Sequence, residues 1–251
     1  MRVVSLVPSW TEFLHDLNVN VVGQTKFCVR PQTAFRTLPR VGGTKTVKLD
    51  AVLGLEPDLV VANREENDRD QIGALMAALP SERVVVTDVR TVEHALEEMR
   101  RLGDAVDRNA AADNMIQRTR DAWGEPKPLV GSAGYAVWSS PWMMAGPDTF
   151  IHSVMAHWGI DNAMGHSDPE ARYPTLAETP DMGVGLGDCW LLPSEPFPFK
   201  DKHLRGFEEN HPDKRFKLVD GEAFSWYGSR MLHVTAHLNE ARQWVARREE
   251  A

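Results

Sequence analysis

At 251 residues, 42% hydrophobic and 25% charged, the chain has globular composition and room for one large domain or two lobes of about 120 residues each. A net charge of −8 argues against a nucleic-acid surface, which needs clustered Lys and Arg, and favours small molecules or proteins as partners. No apolar run approaches the roughly 20 residues needed to cross a bilayer, so a soluble protein is expected.

Two cysteines, Cys28 and Cys189, make neither a disulfide framework nor a zinc cluster, and they leave one bridge an open question. The opening "MRVVSLVPSW" runs straight into a strand and a turn, without the parts of an export signal. The cytoplasm is therefore the expected compartment, with the periplasm or cell surface as the alternative if an export segment is missing from this sequence.

In chain order, the apolar strand "RVVSLV" leads through Pro8 to "SWTE", where Ser9 and Glu12 read as a capping box opening a helix over about Thr11 to Leu17. The strand "VNVVGQT" follows, then a loop from Cys28 to Thr46, the helix "KLDAVLGLEP", the strand "DLVVAN", the helix "DRDQIGALMAAL" and the strand "ERVVVTDV". Next come the helical "TVEHALEEMRRLGDAV" and, capped by Asp107, "RNAAADNMIQRTRDAW", long enough to span roughly 25 Å. After "GEPKP" the grammar restarts: strand "PLVGSAGYAVW", helix "TFIHSVMAHWGI", strand "DCWLLP", helix "KDKHLRGFEEN", strand "RFKLVD", and a closing amphipathic helix in "MLHVTAHLNEARQWVARRE".

Strands alternating with helices give α/β class with mostly parallel sheets. The repeated element order divides the chain into an N-terminal lobe, 1–106, a linker helix, 107–125, and a C-terminal lobe, 126–251, each Rossmann-like. A single doubly wound domain with the helix packed on one face is the alternative.

Open α/β sheets bind ligands outside the carboxyl ends of their strands. The loops there are "PSW", "NREEN", "SSPWMMAGPDT", "PSEPFPF" and "GEAFSWYGSR". A cleft between two lobes, walled by Trp10, Trp138, Trp142, Phe197, Phe199, Trp226 and Tyr227, suits a large, partly apolar ligand, with Arg64, Glu65 and Arg230 orienting its polar groups. Trp138, Trp142 and Trp226 lie beside Pro or Gly in predicted loops; Trp158, Trp190 and Trp244 read as core. Trp226→Ala is the change expected to weaken binding most.

Five runs in order, "LDAVLGLEPDLVVANREEN", "WSSPWMMAGPDTFIHSVM", "RYPTLAE", "LLPSEPFPFKDKHL" and "LVDGEAFSWYGSRML", resemble the helical-backbone metal receptor superfamily. Its members are the substrate-binding proteins of ABC importers for cobalamin, ferric siderophores and haem, and the cobalamin-binding group is the most similar. The resemblance covers essentially the whole chain. It implies two α/β lobes joined by one long helix, a ligand cleft between them, and a carboxylate on each lobe that docks on permease arginines. Asp50 matches the first such acid, Glu178 of "YPTLAE" is the candidate for the second, and Tyr173 joins the ligand-binding set. The chain departs from the cobalamin binders at Asn63, where they place a tryptophan.

His233 and His237 in "HVTAH" have zinc-sharing spacing on a helix, but the motif lacks the glutamate of a metalloprotease. "GSAG" is not a nucleophile turn, and "GVGLG" precedes a strand where a phosphate loop would open a helix. His203, after "PFPFKDK", reads as a solvated helix position, with reach into the cleft as the alternative. The expectation is a monomeric, non-catalytic protein without a cofactor, binding a corrinoid, haem or ferric siderophore for ABC-type uptake. A direct metal-ion binder or enzyme on the same scaffold is the alternative.

Overall fold

Residues 1–139, 141–168, 172–176 and 189–247 are described by a computed structural model. The chain forms two units: Met1–Val89, Glu93–Arg120 and Tyr227–Met231 make unit 1, and Arg90–Val92, Asp121–Trp226 and Leu232–Ala251 make unit 2.

Unit 1 contains β1 (Arg2–Ser5), α1 (Pro8–Asp16), β2 (Asn20–Gln24), α2 (Gln32–Thr37), β3 (Gly42–Gly43), β4 (Thr46–Val47), α3 (Leu49–Leu53), β5 (Leu59–Asn63), α4 (Arg69–Ala78) and β6 (Val84–Thr87). Two long helices follow, α5 (Val92–Ala105) and α6 (Asn109–Trp123), and the division between units cuts α6 after Arg120. Its sheet has the order β2-β1-β5-β6, parallel throughout, with Val3 opposite Val21 and Leu59, and Val60 opposite Val84. Every residue of β5 is buried, which is why "LVVAN" is apolar almost without alternation: a parallel strand covered on both faces has no wet side. Val4, Leu6, Val52, Val60, Ile72 and Leu75 form the core between strands and helices.

Three local expectations change. Helix α1 starts at Pro8, with Val7 as N-cap and no side-chain cap bond, so Ser9 and Glu12 do not form a capping box. Proline suits the first helical position because its φ is already helical and it has no N–H to leave unpaired. Asp107 does not cap α6; it takes φ +55° in the turn after α5, a conformation Asp tolerates better than most residues. The Cys28–Thr46 segment, read as a loop, contains α2 and β3.

Unit 2 contains β7 (Gly131–Ser139), β8 (Trp142–Met144), α7 (Phe150–His157), β9 (Ile160–Asn162), β10 (Cys189–Pro193), α8 (Asp201–Asn210), β11 (Arg215–Val219), α9 (Gly221–Ser225) and α10 (Thr235–Ala246). Strands β11, β10 and β7 run parallel in that order. The far edge of β7 is shared: β9 pairs in parallel with Gly131–Ala133, and β8 pairs antiparallel with Ala136, Trp138 and Ser139. Trp142, Met144, Trp190, Leu192, Phe199 and Phe216 pack together as a core. Among the described residues no helix is long and apolar enough to cross a membrane.

Candidate functional site

The carboxyl ends of the unit 1 strands gather Trp10, Tyr227 and Arg230 around side chains that already serve them. The Trp10 ring is fully buried, donates Nε1–H to Thr87 Oγ1 at 2.9 Å, and lies 4.5 Å from the Tyr227 ring and 5.6 Å from Phe13. The Tyr227 hydroxyl donates to Glu66 Oε1 at 2.9 Å; burial and that carboxylate push its phenol well above the ordinary range, so it stays a donor. Arg230 forms a bidentate pair with Glu12: Nε donates to Oε2 at 3.0 Å and Nη2 to Oε1, with both side chains almost buried. Desolvation, the largest influence, leaves the Glu12 carboxyl raised in spite of Arg230.

The segment around these residues is not the loop predicted from "GEAFSWYGSR". Helix α9 occupies Gly221–Ser225, and a 3-10 turn occupies Gly228–Leu232. Gly228 sits at φ +76°, and a Cβ there would lie 3.2 Å from Phe13 and 3.3 Å from Trp10, so only glycine fits the turn without strain.

Arg64 and Glu65 stand on the β5–α4 connection, which Asn63 organises. Asn63 is 2% exposed, and its Oδ1 accepts the Glu65 and Glu66 N–H groups at 2.8 and 3.1 Å while Nδ2 donates to Thr87 Oγ1 at 3.1 Å. Here the amide builds the turn. The Arg64 side chain is 71% exposed and pairs with Asp88 at 3.4 Å. Both line a cavity of about 420 Å³ with Val86, Thr87, Glu98 and Arg101. Asp88 and Glu98 escaped sequence reasoning, although the strand-end rule applied to β6 points to Asp88.

In unit 2, Trp138 is 42% exposed and meets Phe197 edge to face at 5.3 Å. Phe197 is half-buried and lies 4.7 Å from Phe199 and 5.4 Å from the His203 ring. Trp142 and Phe199 are 9% and 4% exposed and stack with an 18° interplanar angle within the unit 2 core. They were expected as cleft walls; the structure gives them core packing, as do Trp158 and Trp190. Tyr173 is half-buried in a segment whose neighbours Pro174 and Leu176 bond to Met144 and Trp142 of β8.

Trp226 is 7% exposed and donates Nε1–H to Glu195 Oε1, which also accepts the Ser225 hydroxyl at 3.1 Å. Burial raises the Glu195 carboxyl in spite of both bonds. Gly221 lets this packing close, because a Cβ there would come within 2.6 to 2.8 Å of Glu195. Cys28 and Cys189 are both buried and are not joined in a disulfide. Thr11 and Thr25 surround the Cys28 thiol at 3.0 and 3.2 Å, and burial pushes its pKa up.

Asp50 is exposed in the first turn of α3, where a carboxylate favours the positive end of the helix. Glu178 and "GVGLG" lie outside the described residues. His233 precedes α10, which begins at Thr235, so the "HVTAH" pair does not share a helix face. Among the described residues no group of three or more His, Cys, Asp or Glu side chains could hold a metal ion.

Comparison with known proteins places this architecture. A cobalamin-binding protein of Halobacterium salinarum is 28% identical over 188 residues, covering 70% of this chain and 50% of the relative. The chain thus spans about half the length of the curated relatives it matches. The periplasmic vitamin B12 binding protein BtuF of Vibrio cholerae superposes with a TM-score of 0.80 at 15% identity, covering 98% of each chain. A periplasmic heme binding protein from Pseudomonas aeruginosa gives 0.76 at 20% identity, covering 98% of this chain and 94% of that one. These likenesses establish a shared fold of two α/β units. The family described as periplasmic binding protein matches residues 3–176, and the chain belongs to it.

Proposed function

We propose that this protein is a non-catalytic substrate-binding protein for a bulky metal chelate, a corrinoid, haem or ferric siderophore, serving an ABC-type importer. The observation that carries the reading is the Trp138–Phe197 pair: a large indole 42% exposed, braced by a second ring, near the carboxyl ends of β7 and β10. Exposed aromatic faces suit flat or partly apolar ligands, because stacking releases water from two apolar surfaces at once. The cobalamin-binding and heme-binding names of the relatives support the same ligand class.

Arg64 is the cation best placed to meet ligand anions, being 71% exposed and paired with Asp88 at 3.4 Å. Asp50 and Glu178 are proposed as docking acids for a permease, and the protein is read as a monomer. The periplasmic or cell-surface compartment is the one this reading carries.

Titration of the protein with cobalamin, cobinamide, haem and a ferric siderophore, followed by tryptophan fluorescence, tests the proposal. Saturable quenching by at least one chelate is expected. Trp138→Ala should weaken that binding about tenfold, the loss of roughly 1.4 kcal/mol of stacking. No quenching by any of the four, together with tight zinc binding, would instead make the protein a direct metal-ion binder.

A further inference from the structure

Next to the Trp138–Phe197 pair stands His203, whose ring centre is 5.4 Å from Phe197 and 6.0 Å from Phe199. Its position in α8 fixes its chemistry. The Lys200 backbone N–H donates to His203 Nδ1 at 3.0 Å, at the start of the helix, and an N–H group can only donate. Nδ1 must therefore carry its lone pair, and the proton of the neutral ring sits on Nε2. Desolvation and the neighbouring Lys202 and Lys200 lower the pKa of His203, so the ring is neutral at physiological pH.

A histidine in this tautomer is a poor metal ligand. Coordination through Nε2 would require the remaining ring proton to move to Nδ1, where it would collide with the Lys200 N–H and break the helix-opening bond. The same tautomer offers one N–H donor next to the exposed Trp138 and half-buried Phe197.

Resting on the chelate-binding reading, we propose that His203 is a specificity residue that donates Nε2–H to a carboxylate or amide oxygen on the rim of the chelate, and does not coordinate its metal. The substrate class narrows accordingly. The ligand has a flat or apolar face for Trp138 and Phe197, peripheral carbonyl acceptors for His203, and a metal whose coordination needs nothing from this side chain. Corrinoids with amide arms and porphyrins with propionates both have such a rim.

Three substitutions separate this role from helix capping. His203→Gln keeps an acceptor for the Lys200 N–H and keeps a donor. His203→Glu keeps the acceptor alone. His203→Ala keeps neither. Affinities for dicyanocobinamide and haem are measured by fluorescence quenching, visible spectra of the complexes are recorded, and the Tm of each variant is taken. The expected pattern is binding weakened about tenfold in the Ala and Glu variants and restored in Gln, a fall in Tm confined to Ala, and unchanged visible spectra of the bound chelate throughout. Wild-type affinity in the Ala and Glu variants would overturn the role of His203 while leaving chelate binding intact. A shift in the bound haem spectrum on removing His203 would overturn it in favour of metal coordination. Failure of the unsubstituted protein to bind either chelate would overturn both this inference and the reading beneath it.

Discussion

Unit 1 and unit 2 each carry aromatic rings near the carboxyl ends of their strands, and the two groups differ in what already touches them. Trp10 and Tyr227 of unit 1 are 0% and 4% exposed, with N–H and O–H groups on Thr87 and Glu66 and a nearly buried Glu12–Arg230 pair nearby. Trp138 of unit 2 keeps 42% of its surface open and rests on Phe197 by an edge. A ring whose surface the protein covers almost wholly contributes to folding; one that leaves much of its surface to solvent can still bury that surface against a ligand. The difference teaches that aromatic content at a strand end does not by itself mark a binding wall.

Substitution would break or sharpen this contrast. The largest effect is expected from Trp10→Ala, which removes a fully buried indole and its hydrogen bond and should cost about 4 kcal/mol in urea unfolding. If Trp10 were instead a ligand wall, affinity would fall and stability would hold. Glu12→Ala should cost about 3 kcal/mol by leaving Arg230 buried without its carboxylate. Replacing both, Glu12→Leu with Arg230→Met, should recover most of that loss, because no uncompensated charge is then buried.

A smaller change, in the opposite direction, is expected at Glu195. Its folded pKa is raised above 4.5, so the folded state holds its proton more tightly than the unfolded state. Stability from this group is full below pH 4.5 and declines as pH rises through the folded pKa, where the carboxylate must ionise while buried. Glu195→Gln can still accept from Trp226 and Ser225. It should stabilise by about 1 kcal/mol at neutral pH and by nothing below pH 4.5, as thermal melts across that range would show. The smallest stability effect belongs to Trp138→Ala, within about 0.5 kcal/mol, since little packing is lost at an exposed ring. That mutant would separate binding from folding most cleanly.

Much of the fold was legible because buried parallel strands announce themselves. "RVVS", "LVVAN", "VVVT" and "CWLLP" all appear as β1, β5, β6 and β10, each an apolar run between turn or helix signals. Short elements escaped. Helix α9 and the 3-10 turn after it have five residues each, too few for periodicity to register, and the residues between and within them, Trp226, Tyr227 and Arg230, are held by Glu195, Glu66 and Glu12. Strand β8 escaped because three residues against a β7 edge carry no pattern of their own. At the site, Arg230 was visible as a cation, but its partner Glu12 is 218 positions away, and Glu12 itself read as part of a helix cap.

The sequence by itself determined the alternation of strands and helices, the repeat of that order in two halves, and the gathering of aromatics at strand ends. Tertiary structure alone decided which aromatics remain open. Trp138 and Trp142 are four residues apart in "WSSPW", and both read as loop tryptophans from the sequence. Pairing of β7 with β8 sets Trp138 opposite Met143 and Ser139 opposite Trp142, with a register shift between Ala136 and Trp138. Directly opposed residues share a sheet face and neighbours along a strand take opposite faces, so the two indoles point to different sides. Trp142 joins Trp190 and Phe199 in the core, and Trp138 is left at the surface with Phe197.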